Sequence, residues 1–177
     1  TFEALAQAPL DVVLRAWQGM GYNRRGKYLR EIATRVVRDF NSVVPEDPQI
    51  LETFPGIGPA TARSIVTFIY NTPQFFIETN IRRVFIHHFF QDSIQIHDAD
   101  ILLRLKEMFW YHSPRDWYYA LMDYGAYLGK IIQNPNRKST HYTKQSKFEG
   151  STRQVRSAVL KVVLDEKELT LGILLDR

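Results

Sequence analysis

The stretch Phe54-Pro55-Gly56-Ile57-Gly58 constrains the fold of this chain more than any other. Two glycines bracketing one aliphatic residue permit a tight backbone bend that residues carrying a Cβ resist. Helical patterns flank it, a short one near Pro48 to Thr53 and a longer one from Pro59 to Tyr70. The stretch therefore reads as a hairpin joining two helices, with Ile57 inserted between them to pin their crossing. Amides at such a bend, beside a helix N-terminus, point outward together and form an anion site suited to one nucleic-acid phosphate. Gly56, Ile57, Gly58, Ala60 and Thr61 are the residues expected to meet it. A mere turn between helices is the plainer reading, and the hydrophobic residues at matching positions on both sides argue against it. Contacts of this kind position a protein on DNA with salt-dependent affinity and read no sequence.

The rest of the chain alternates apolar stripes with Gly/Pro breaks. Helices are expected from Thr1 to Ala8, from Pro9 through Trp17, and from Arg24 to Phe40 with Leu29, Ile32, Ala33, Val36, Val37 and Phe40 inward. On the helix from Pro59 to Tyr70, Ile65, Val66, Ile69 and Tyr70 share a face. Phe75-Phe76-Ile77 has strand-like residue types but is too short and solitary to build a sheet. Further helices are expected at Asn80 to Phe90, Asp98 to Tyr111, Arg115 to Leu128 and Ser151 to Leu164, with another starting over Glu168 to Asp176. The body is all-α. The composition changes at Gly129, and the segment 129–150 reads as a basic polar linker between a body of residues 1–128 and the start of a C-terminal helical or winged-helix-like module over 151–177.

Zero cysteines in 177 residues exclude, within this stretch, disulfides, cysteine-held zinc or iron–sulfur clusters and thiol nucleophiles. No metal site is expected: His87 and His88 are adjacent on a helix, should point apart, and have no suitably spaced carboxylate. The formal net charge of +4 is modest but unevenly spread, with seven Arg/Lys against one Glu from Arg15 to Arg38 and eight against one from Lys130 to Lys161. Arg24, Arg25 and Lys27 in the first segment, and Lys138 and Lys144 in the second, are candidate phosphate contacts. Gly21 and Tyr22 form a glycine loop among arginines, from which the tyrosine could wedge between bases. Phe89, Phe90, Phe109, Trp110, Trp117 and Tyr118 pair at helical spacing and are expected in the core. No apolar run is long enough to span a membrane and no secretion signal opens the chain, so a cytoplasmic, nucleoid-associated monomer is expected. The opening Thr1, inside an amphipathic segment, suggests that a native N-terminal portion precedes it.

A second element lies at Phe76-Ile77-Glu78-Thr79-Asn80-Ile81-Arg82-Arg83-Val84, where a carboxylate stands immediately before an expected helix. Thr79 or Asn80 would serve as N-cap, and helix amides would hold Glu78, for which a structural role as helix cap is the rival reading. Here the sequence resembles the helix-hairpin-helix base-excision DNA glycosylases, the HhH-GPD superfamily, and within it the MutY-like adenine glycosylase branch. That family follows its hairpin with an aspartate heading a helix of the type Asp-x-Asn-Val-x-Arg-Val, at the distance separating Gly58 from Glu78. Trp17-Gln18-Gly19-Met20-Gly21-Tyr22-Asn23-Arg24-Arg25 resembles the branch's tryptophan, glycine and tyrosine loop, and Ala120-Leu121-Met122-Asp123-Tyr124-Gly125-Ala126 its late helix.

The resemblance implies two helical subdomains around a cleft, a basic C-terminal extension, and double-stranded DNA with a mismatched or damaged base as partner. It implies that one nucleotide is flipped out and its glycosidic bond broken through an oxocarbenium-like state that Glu78 stabilises. Asn80 and Arg82 would lie at the same DNA surface. Bifunctional relatives carry a Schiff-base lysine two residues after the second hairpin glycine, and Ala60 stands there, which implies a monofunctional hydrolase. Adenine opposite 8-oxoguanine or guanine is the leading substrate; a mismatch thymine or uracil glycosylase and a catalytically silent DNA-binding module are the alternatives. The sequence also departs from the family. Glu78 replaces the aspartate, Asn23 one of the paired tyrosines, and Gly129 the first of four cluster cysteines, so no iron–sulfur cofactor is expected. The acid that protonates the excised base would lie upstream of Thr1.

Overall fold

The computed structural model describes residues 1–165; the helix expected over Glu168 to Asp176 lies outside them. Among the described residues the regular structure is helical, with one isolated bridge between Ile96 and Ser139. The chain divides into two compact units. Among the described residues, one comprises Thr1–Val44, Phe54–Gly56 and residues 145–165; the other comprises Pro45–Thr53 and Ile57–Lys144.

The first unit holds α1 (Phe2–Gln7), α2 (Leu10–Trp17), α3 (Arg24–Phe40) and α9 (Thr152–Asp165). Thr1 caps α1 by accepting from the Ala4 amide at 3.2 Å, and the proline before Leu10 separates it from α2. Both α1 and α2 pack on α3. The face that α3 buries is Gly26, Ala33 and Val36; Leu29, expected inward, is 41% exposed. Gly26 seats the Trp17 ring, whose Cγ would lie 3.0 Å from an added Cβ. Arg30 reaches back to the Ala8 carbonyl at 2.7 Å, and Arg15 pairs with Asp165 of α9 at 3.5 Å.

The second unit holds α4 (Pro48–Glu52), α5 (Pro59–Tyr70), α6 (Thr79–Phe89), α7 (Asp98–Glu107), α8 (Pro114–Ile131) and a short 3-10 turn at Pro135–Lys138. Its core gathers Phe76, Ile77, Ile81, Phe85, Ile86, Ile96, Ile101, Leu105, Phe109 and Tyr118. α6 lies against α7, α8 and the 3-10 turn. Helix α7 stops at Glu107 instead of continuing to Tyr111, because Phe109 turns into the core against Phe75, Trp117 and Tyr118 while Trp110 and Tyr111 stay exposed. Phe89 is likewise exposed, so the aromatic pairs are only partly core. On α5 the buried residues are Ala62, Val66 and Thr67, and Ile69 faces outward.

Helix α8 runs past residue 128 to Ile131, and the segment read as a basic polar linker is hydrogen-bonded to this unit as far as Thr140. Ile96 donates to the Lys138 carbonyl at 2.9 Å, Thr140 donates to the Ile96 carbonyl at 3.0 Å, and buried Asn136 donates its side-chain amide to Thr79 O at 2.9 Å. No helix of the described residues is long and apolar enough to cross a membrane.

Candidate nucleic-acid interface and carboxylate site

Helix α4 is opened by Asp47, whose Oδ1 accepts from the Gln49 amide at 2.8 Å, and is closed by Thr53, whose hydroxyl donates to Ile50 O at 2.7 Å. The bend then depends on Gly56, at φ +75°, where an added Cβ would lie 2.5 Å from the Tyr28 ring. The buried anchor is Phe54, 3% exposed, with its ring 5.8 Å from Phe40 and under the Arg35 guanidinium at 4.4 Å. Ile57, expected to pin the helices, is only half-buried. It is short enough to stay at the bend, whereas the longer Phe54 ring reaches α3. Arg63 ties α5 to α4 by donating to Glu52 Oε1 and to Pro59 O, both at 2.9 Å.

Gly58 begins α5 without a side-chain cap, Pro59 has no N–H, and Ala60 and Thr61 are exposed. The first turn therefore presents backbone amides outward, the arrangement an anion needs.

In the glycine loop, the Trp17 indole donates to Gly21 O at 2.9 Å, and Gly19 and Gly21 take left-handed φ values of +84° and +71°. Tyr22 itself is left-handed at φ +51° and exposed, beside exposed Arg24 and Arg25. Lys27 lies 3.5 Å from Glu31 on the α3 surface.

Glu78 is the N-cap of α6, the rival reading of this residue, and the cap is neither Thr79 nor Asn80. One carboxylate oxygen accepts both the Asn80 amide at 2.7 Å and the Ile81 amide at 2.9 Å. The other oxygen receives only a long 3.4 Å contact from the Asn80 side-chain amide. Capping thus occupies one oxygen of a half-buried side chain and leaves the other without a short hydrogen bond. Upstream, the Tyr118 hydroxyl accepts from the Phe76 amide at 3.2 Å and donates to Gln74 O at 2.9 Å, which fixes the extended run into Glu78. Burial pushes the Tyr118 hydroxyl well above its usual range, so it stays a donor.

Behind Glu78, Arg83 donates from Nη1 to Asn80 Oδ1 at 2.8 Å and to Gly125 O at 2.6 Å. Sequence reasoning missed Arg83, although its place three residues after Asn80 on a helix was a usable signal. Asn136 had no such signal. Arg82, expected at the DNA surface, is instead held by Asp98 through two bonds of 2.8 and 2.7 Å, because α7 starts beside it. Burial would raise the Asp98 carboxyl, but the hydrogen bond and charge of Arg82 outweigh it and hold it below the usual carboxylate range. Lys138 donates to Gln91 O, and Lys144 is exposed. His87 and His88 do not point apart: their rings lie 4.7 Å from each other, and His88 Nε2 is 2.8 Å from the Tyr124 hydroxyl. Among the described residues no group of three or more His, Asp or Glu could hold a metal ion.

The sequence matches the HhH-GPD superfamily base excision DNA repair proteins over residues 1–108. The chain belongs to this superfamily. Among its relatives, the adenine DNA glycosylase of Mycobacterium tuberculosis (strain ATCC 25618 / H37Rv) is 40% identical over 132 residues, which are 71% of this chain and 42% of that protein. The adenine DNA glycosylase of Buchnera aphidicola subsp. Baizongia pistaciae is 30% identical over 133 residues, 70% of this chain and 36% of the relative. The human adenine DNA glycosylase is 33% identical over 85 residues, 48% and 16% of the two chains. The chain spans less than half the length of these relatives. Where the superfamily's first cluster cysteine would stand, a Cβ on Gly129 would lie 2.6 Å from the Arg83 guanidinium. With no thiolate among these 177 residues, they do not fit a cysteine-held cluster.

Proposed function

We propose that the chain is the core of a monofunctional DNA glycosylase that hydrolyses the N-glycosidic bond of adenine mispaired with guanine or 8-oxoguanine. The observation that carries this reading is the Glu78 carboxylate, fixed at a helix start by one oxygen with the other left open, twenty residues beyond the hairpin. In this scheme the exposed amides of Ala60 and Thr61 and the basic side chains Arg24, Arg25 and Lys27 hold phosphates, and Tyr22 wedges beside the flipped nucleotide. The bond between C1′ and the base nitrogen breaks with its electron pair leaving on the base. Positive charge develops at C1′ and the ring oxygen, the open Glu78 oxygen stabilises it, and water adds to C1′ as hydroxyl while, in net, its proton goes to the departing base. Ala60 offers no amine for a Schiff base, so no strand cleavage follows. The reading implies a monomer acting without an iron–sulfur cluster on chromosomal DNA in the cytoplasm.

The test uses the full gene product, including whatever precedes Thr1, on duplexes with adenine opposite guanine or 8-oxoguanine, scored by alkali cleavage. Glu78→Gln keeps an oxygen for the two amides but loses the charge. Its single-turnover rate should fall at least about a hundredfold, with duplex affinity nearly unchanged. Release of thymine or uracil instead of adenine would replace the substrate; binding without release of any base would leave a DNA-binding module only.

A further inference from the structure

The phenol of Tyr22 is 63% exposed on a loop whose glycines leave it little packing. Two contacts fix it. The Arg25 guanidinium lies 5.2 Å from the ring centroid, and Gln145 donates from Nε2 to the phenol oxygen at 2.7 Å, across 123 residues of sequence. Gln145 is not on a passing loop. Arg153, in the first turn of α9, donates from Nη2 to Ser146 O at 2.5 Å, to Ser146 Oγ at 3.2 Å and to Lys147 O at 3.2 Å. The Ser151 hydroxyl donates to Phe148 O at 2.5 Å, and the Gly150 amide donates to Gln154 Oε1 at 2.7 Å. Residues 146–154 thus form a self-braced loop with Gln145 at its outer end. The same loop and the glycine loop line a cavity of about 340 Å³, with Gln18, Gly19 and Asn23 on one side and Phe148, Gln154 and Lys161 on the other.

We infer that Gln145 is a positioning residue for Tyr22, holding the phenol in its working orientation before DNA arrives. The inference rests on the reading of Tyr22 as a base-contacting wedge. Ordering a free side chain during association weakens binding, and a ring already held at its hydroxyl end and on its face avoids that cost. The direction of the bond matters too. Because Gln145 donates, the phenol hydrogen remains available to a base or phosphate acceptor. The brace from Arg153 makes the orientation of Tyr22 depend on the N-terminal turn of α9, a connection no sequence motif announces.

The test compares wild type, Gln145→Ala, Tyr22→Phe, Tyr22→Ala and the Tyr22→Phe/Gln145→Ala double variant of the full gene product. Binding is measured to an adenine–guanine mismatch duplex with 2-aminopurine beside the mismatch, and to its matched counterpart. Wild type should raise the 2-aminopurine fluorescence as the step unstacks. Gln145→Ala and Tyr22→Phe should each lose most of that rise and about two- to tenfold of mismatch preference, and the double variant should be no worse than either. Matched-duplex affinity should fall less than mismatch affinity in each variant. A Gln145→Ala protein that behaves as wild type, or losses that multiply in the double variant, would overturn the positioning role. Loss in Tyr22→Ala but not in Tyr22→Phe would keep the wedge and overturn its control through the hydroxyl. A wild-type protein that neither unstacks the reporter nor prefers the mismatch would overturn both.

Discussion

Tyr118 holds two backbone groups with one hydroxyl: it accepts from Phe76 and donates to Gln74 while its ring stacks on Phe76 at 4.0 Å. Tyr118→Phe keeps the ring and strands a buried amide and carbonyl. The expected loss is about 1–3 kcal/mol, measured by urea unfolding, together with slower base release under the proposed function because the run into Glu78 loosens. Gly125 is a second such position. A Cβ there would sit 2.3 Å from the Asn80 carbonyl oxygen, against backbone that cannot swing aside. Gly125→Ala should therefore destabilise by about 1–3 kcal/mol, read as a lower Tm. Gly125 was visible in the sequence as part of a family motif, but its partner was not. Close approach of two helices is a property of the packed pair, and one helix's residues do not state it.

Helix α6 shows how much of the candidate site could be read beforehand. Its N-terminal carboxylate and its extent were legible because a capping residue, helical apolar spacing and a preceding extended run coincide. What Arg82 does was not, since its partner Asp98 belongs to a helix sixteen residues on, and only the packing of α7 against α6 brings them within 2.7 Å. The pair has a pH signature. The folded Asp98 carboxyl titrates below its ordinary value, so its contribution is fully present above that ordinary value and is lost as pH falls through the lowered folded one. The Tm of the wild type should therefore fall between about pH 5 and pH 3 more than that of Asp98→Asn, whose pair is already broken. Equal acid sensitivity would remove the pair from the stability balance. Leu29 marks the same limit: its spacing places it on the stripe of Gly26, Ala33 and Val36, yet it is exposed, because spacing along one helix does not state whether a neighbour covers that turn.

Across the molecule, charge is the property most openly written in the sequence, because a run of Arg and Lys needs no partner to be counted. The structure sorts that run. Arg24 and Arg25 are exposed beside the glycine loop, whereas Arg82 and Lys138 are engaged within the second unit. Binding to duplex DNA should weaken linearly in log salt, with Arg24→Ala or Arg25→Ala each reducing the slope by about one, while Arg82→Ala leaves the slope unchanged and lowers Tm. What composition could not state is the order of assembly. The second unit is made of residues 45–144 apart from three, whereas the first draws on residues 1–44 and also on residues 145–165. On a ribosome, where residues emerge in order, the unit carrying Glu78 can close while the one carrying Tyr22 still waits for α9. A chain arrested at Lys144 would hold a finished carboxylate site and a tyrosine loop without its brace.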